Sequence, residues 1–167
     1  MRTAGLMVLM LVAAAGCSDQ KPATAPTGPT PLTSTAARVY VIQEAGGTAE
    51  RVTLTIHVDT KDIPMAAYQG RLQFDADAMQ IIESSTPSDG TRLVNTAAGA
   101  GLVKFAGFTT DVFTQTAAAT LVVKPLKSLD MANLTASLDV VGEVSGKAVP
   151  KSRLLPASGI YSAAAAR

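Results

Sequence analysis

Nine consecutive residues constrain the fold of this chain more than any others. In Arg51–Asp59, Val52, Leu54, Ile56 and Val58 alternate with Arg51, Thr53, Thr55, His57 and Asp59. Strict period-two alternation rich in β-branched residues predicts a half-buried antiparallel strand with one apolar and one polar face. The same reading predicts strands at Arg38–Ile42, Ala67–Phe74, Met79–Glu83, Arg92–Asn95, Leu102–Phe108, Thr120–Lys124, Asn133–Val144 and Ile160–Tyr161. Turn signals separate them, among them Ala45-Gly46-Gly47, Asp75-Ala76-Asp77 and Thr86-Pro87-Ser88-Asp89-Gly90. No stretch carries a 3.6-residue period; Ala117-Ala118-Ala119 is too short for a helix and is flanked by Thr. Short strands at regular spacing predict an all-β chain, a nine-stranded antiparallel β-sandwich of jelly-roll type over residues 38–162, with a frayed tail at 163–167.

The N-terminal part has a different composition. Met1-Arg2 is followed by an uncharged run of 13 residues, Ala4 to Gly16, and then by Cys17, the only cysteine. A helix needs about 20 apolar residues to span a bilayer, so this run is too short for one. Ala14-Ala15-Gly16-Cys17 followed by Ser18 resembles the lipobox of bacterial lipoproteins. The resemblance implies a signal peptide over residues 1–16, cleavage before Cys17 and acylation of Cys17. It also implies a lipid-anchored place in the cell envelope, with Ser18 favouring the outer membrane over the inner. An ordinary secretory signal cut within the small-residue run Ala13-Ala14-Ala15 is the competing reading. Residues 17–37 then form a linker. Pro22, Pro26, Pro29 and Pro31 lie among Thr, Ala and Ser, a composition that favours extended polyproline II over a packed fold. At about 3.1 Å per residue it reaches on the order of 60 Å.

Cleavage would remove one basic residue, Arg2, from a total of 14, leaving 13 against 13 acidic residues. A near-zero net charge without a basic run gives no electrostatic footprint for nucleic acid. With Cys17 as the only cysteine, no disulfide can staple the domain, and the core alone must hold it.

Catalytic signatures are absent from the sequence. Val144-Ser145-Gly146-Lys147 lacks the glycines of a phosphate loop, and no G-x-S-x-G elbow occurs. His57 is the only histidine and falls on the polar side of its strand, where a solvated residue is expected. Asp75 and Asp77 lack the further ligands of a calcium loop and are read as turn formers. No catalytic residue, metal or cofactor is therefore assigned, and the expectation is a binding protein rather than an enzyme. With no Trp, three Tyr and four Phe, an aromatic sugar platform has few candidates. Tyr68 and Phe74 share a face with Leu72 and are expected in the core. Phe105 and Phe108 cannot both lie on one face of a regular strand, and Phe113 is expected as a loop anchor.

Three blocks resemble cohesin domains, the jelly-roll sandwiches of cellulosome scaffolds. The first is Arg51–Asp59 followed by Ile63-Pro64. The second is Tyr68-x-Gly70-x-Leu72-x-Phe74-Asp75 followed by Met79–Ile82. The third is Gly101–Gly107 with Thr120–Lys124. The resemblance implies the sandwich fold and a protein partner, dockerin-like or another exported protein, held on one sheet face by polar groups and a few apolar contacts. The residues of that face stay unassigned at this level. A carbohydrate-binding module acting on a polysaccharide is the alternative.

Overall fold

The computed structural model describes residues 36–89 and 91–163, apart from the side chains at 110 and 111. Residues 1–16, expected to be a signal peptide, and Cys17 with the expected linker as far as residue 35 lie outside this range. The described chain is all-β. Eight long strands run in order: β1 (Ala37–Gln43), β2 (Val52–Asp59), β3 (Met65–Gln73), β4 (Met79–Ser85), β5 (Thr91–Gly99), β6 (Leu102–Phe113), β7 (Gln115–Pro125) and β8 (Thr135–Glu143). Three two-residue strands follow, β9 (Leu154–Leu155), β10 (Ala157–Ser158) and β11 (Tyr161–Ser162). Short 3-10 turns at Leu129–Ala132 and Lys151–Arg153 are the only helical elements among the described residues.

Two sheets face each other. One has the order β11-β1-β2-β7-β4, with β9 also on β1; the other has the order β10-β8-β3-β6-β5. Pairing is antiparallel except that β9 and β11 run parallel to β1. Alternation places the core between the sheets. Val39, Val41, Leu54, Ile56, Val58, Leu121 and Val123 from one sheet meet Tyr68, Leu72, Val103, Phe105 and Val141 from the other, all buried. Phe105 is the largest fully buried side chain. The domain thus fills its interior with aliphatic residues, in keeping with its scarcity of aromatics.

Several boundaries depart from the sequence reading. Phe113, expected in a loop, lies in a strand: β6 runs on to Phe113, and β7 begins at Gln115 after the single residue Thr114. Phe113 therefore anchors a strand end, packing edge-on against Tyr68 at 6.1 Å. Ala117-Ala118-Ala119 belongs to β7. A register shift opposite Ile56 and His57 gives Ala118 no partner across β2, and Ala118 and Ala119 are both fully buried. Small side chains suit such a bulge, where two neighbours must turn toward the same core. Phe74 lies just past β3 and is only partly buried against the core. Asp75 and Asp77 do form a turn, in which Asp77 N–H donates to Asp75 Oδ1 at 2.9 Å.

Candidate binding face

The two outer faces of the sandwich differ in how far they satisfy themselves. On the β1–β2–β7 side, residues opposite one another in register are already paired. Arg38 faces Asp59 and donates from Nη2 to its Oδ2 at 2.7 Å. Tyr40 faces His57, their rings stacked at 5.4 Å and 11°. The Arg38 guanidinium sits 5.2 Å from the Tyr40 ring centroid, Tyr161 meets that ring edge-on at 6.3 Å, and Gln115 Nε2 donates to Tyr40 Oη at 2.7 Å. This overturns the expectation of a solvated His57. The histidine is half-buried, and burial pushes its pKa below the ordinary imidazole value, with Glu44 opposing that shift. Burial likewise pushes the Tyr40 phenol up.

The outer face of the β8-β3-β6-β5 layer is divided in two. Register aligns Val140, Gln69, Ala106 and Leu93 in one row, and Gly142, Ala67, Phe108 and Thr91 in the next. Leu93 is 67% exposed, Phe108 60% and Val140 48%. They flank a shallow hollow of about 250 Å³ floored by Ala67 and Ala106. A third row, Ser137, Arg71, Lys104 and Asn95, is polar. Arg71 Nε donates to Asp139 Oδ1 at 3.0 Å, and Nη2 donates to the same oxygen.

A bulge builds this arrangement. Gln69 pairs with Val140 and Gly70 with Leu138, which leaves Asp139 without a partner across the ladder. Leu138 and Val141 are buried on either side, while Asp139 is half-buried and Val140 exposed. The extra residue lets two neighbours share the outer face. One is the carboxylate that meets Arg71; the other is the methyl-bearing edge of the hollow.

Phe105 and Phe108 separate as their spacing requires, the first into the core and the second onto this face. Leu93 is not legible from alternation. Its neighbour Arg92 points inward instead, its side chain only 4% exposed. Arg92 Nη1 donates to Asp89 Oδ1 at 2.7 Å and to the Asp89 carbonyl; Nη2 donates to Thr116 Oγ1 at 2.7 Å. A buried guanidinium with several acceptors holds the strand in the register that exposes Leu93. Among the described residues no three His, Cys, Asp or Glu side chains are grouped so as to hold a metal ion.

No protein-family model matches the chain, and no curated protein matches it either. Solved structures do. A cohesin module from a family 33 glycoside hydrolase of Clostridium perfringens aligns with a TM-score of 0.51 at 12% identity, over 77% of this chain and 99% of that one. A cohesin in a type I cohesin–dockerin complex from Clostridium thermocellum aligns at 0.53 and 11%, over 81% and 99%. The sixth cohesin of scaffoldin B from Acetivibrio cellulolyticus, solved with a dockerin, aligns at 0.51 and 15%, over 68% and 89%. The described domain is a β-sandwich with the cohesin fold.

Proposed function

We propose that this chain is a non-catalytic envelope lipoprotein whose sandwich holds an exported protein partner, dockerin-like in its mode of docking, on the outer face of the β8-β3-β6-β5 layer. The observation that carries this reading is the contrast between the two faces. One pairs its own polar groups in register. The other presents Leu93, Phe108 and Val140 to solvent beside Arg71, Asp139 and Lys104. An apolar centre bordered by charged groups is the usual anatomy of a protein interface. The solved cohesins of the same fold that carry a dockerin support a protein as the ligand. Acylated Cys17 would fix the chain to the outer membrane, and the proline-rich linker would lift the domain clear of the lipid surface.

The test is binding of the full-length protein to a purified dockerin-bearing protein of the same envelope, measured by calorimetry. Truncation of residues at the centre of an interface commonly costs 2 kcal/mol or more, so Leu93→Ala with Phe108→Ala should weaken binding by about tenfold or more. His57→Phe, on the opposite face, should leave affinity unchanged. Undiminished binding by the double variant at an unaltered melting temperature would remove this face from the proposal.

A further inference from the structure

A second site of different chemistry lies at the opposite end of β8 from Val140. It is a cleft of about 590 Å³ where the end of β1, the 3-10 turn Leu129–Ala132, the start of β8 and the β10–β11 connection meet. Gln43, Asn133, Thr135 and Ser158 supply its neutral polar groups, and Leu129, Leu134 and Ile160 its apolar ones. Cleft volumes of about 300–1,000 Å³ are typical of small-ligand sites.

Backbone bonds fix the walls. Gly159 N–H donates to the Leu134 carbonyl at 2.8 Å, Ala163 N–H to the Gln43 carbonyl at 2.9 Å, and Asp75 N–H to the Ala132 carbonyl at 2.8 Å. Asn133 sits at φ 47°, a left-handed conformation that asparagine tolerates better than most residues, and so ends the 3-10 turn at the cleft. The lining is therefore set before any ligand arrives, which lowers the ordering cost of binding.

The lining also selects among ligands. Among the described residues no Lys, Arg or His borders the cleft, and the Asp130 carboxylate does, so these residues offer an anion repulsion and no counter-charge. One carboxylate is too few for a hard cation, which takes six to eight oxygen ligands as calcium or an octahedral set as magnesium. The four neutral side chains are amides and hydroxyls, each able to donate and to accept. None of the four side chains hydrogen-bonds another described residue. A ligand that matches carries many neutral groups that both donate and accept, and also C–H surface for Leu129 and Ile160, which are only partly buried. We propose that this cleft is a saccharide-binding site, taking a short stretch of an uncharged polysaccharide, separate from the protein-docking face.

The test is a titration of the full-length protein in detergent micelles, followed by ¹H–¹⁵N NMR. The probes are cello-, xylo-, manno- and N-acetylchito-oligosaccharides, with calcium chloride and inorganic phosphate as controls. At least one oligosaccharide should move the amides of Leu134, Thr135 and Gly159 saturably, and neither control should. Asn133→Gly suits the left-handed backbone and Thr135→Val keeps the side-chain shape. Together they should weaken binding about tenfold, equivalent to about 1.4 kcal/mol. Ser158→Ala on a different segment should weaken it as well. Leu93→Ala should leave it intact, which separates this site from the docking face. Silence toward every oligosaccharide, unchanged affinity in these variants, or calcium or phosphate moving the same amides would overturn the proposal.

Discussion

Tyr68 lies across Gly107 on the neighbouring strand: a Cβ built on that glycine would stand 2.5 Å from the tyrosine Oη and Cζ. The relation is repeated two pairs along, on the same face. Phe105 covers Gly70, whose Cβ would stand 2.6 Å from the ring. Each aromatic thus fills the side-chain space that the glycine opposite leaves free. In a core with so few rings, these two pairs fill the core-facing side of β3 and β6 within one sheet. Gly107→Ala should cost about 1–3 kcal/mol in urea unfolding, the usual range for overpacking a filled core. Phe105→Ala should cost about 3–5 kcal/mol. Phe74→Ala should cost clearly less than Phe105→Ala, since Phe74 is only partly buried.

The Tyr68 hydroxyl is buried without a hydrogen-bond partner among the described residues. Arg92 lies near enough to offset part of the rise that burial imposes on the phenol pKa, yet the two make no bond of normal geometry. Leaving a buried polar group unpaired costs about 1–3 kcal/mol. Tyr68→Phe should therefore leave stability unchanged or raise it, read as the midpoint of thermal unfolding. A marked fall would mean that the hydroxyl has a partner after all.

His57 gives the fold a specific acid sensitivity. Burial lowers its pKa in the folded state below the ordinary value of 6.5. Between the two values the unfolded chain binds more protons than the folded one, so stability rises with pH. The contribution is fully present above about pH 6.5 and is lost as pH falls through the folded-state pKa. His57→Phe keeps a ring beside Tyr40 and removes the titration. In denaturant melts between pH 7 and the onset of carboxylate titration, the native protein should lose stability on acidification and the variant should lose less. Parallel slopes for the two proteins would show that His57 does not carry the effect.

Acylation is tested directly by mass. The motivating feature is a lone cysteine at the end of a short uncharged run. Mature protein from the native host should begin at Cys17 and carry the mass of acyl chains, and Cys17→Ser should appear in the soluble fraction. A single chain gives only marginal membrane binding, so firm attachment requires more than one. A mature N-terminus at another residue without acyl mass would replace the lipoprotein reading with ordinary secretion.

The sandwich was legible because alternation reports burial directly. Val52 to Val58 fall on the core side in the order read from sequence, as do Tyr68 and Leu72. The outer faces of the two sheets were not legible, for three reasons visible at single residues. Arg92 turns inward because Asp89 and Thr116 supply acceptors there, which reverses the facing that polarity alone assigns to β5. Asp139 and Val140 share a face only because of a bulge, which no period of two anticipates. His57 has the polarity of a solvated residue, and its burial depends on Tyr40, which comes from a strand of opposite direction. Each depends on a partner distant in sequence.

The Arg71–Asp139 pair separates folding from recognition. Both side chains remain substantially exposed, 46% and 31%, so solvent screens their attraction. Exposed pairs of this kind contribute about 0–1 kcal/mol to stability. Asp139→Asn should therefore leave the unfolding midpoint nearly unchanged. Binding should respond differently. A partner seated on Leu93, Phe108 and Val140 would cover the pair, and charges removed from water must keep their counter-charge. Without the carboxylate, Arg71 would enter that interface unpaired, which commonly costs 2–5 kcal/mol and appears chiefly in the dissociation rate. Surface plasmon resonance on the native protein and on Asp139→Asn should show faster dissociation in the variant, with association less affected. Equal dissociation rates, with equal melting points, would place the pair outside the contact and confine the partner to the apolar end of the face.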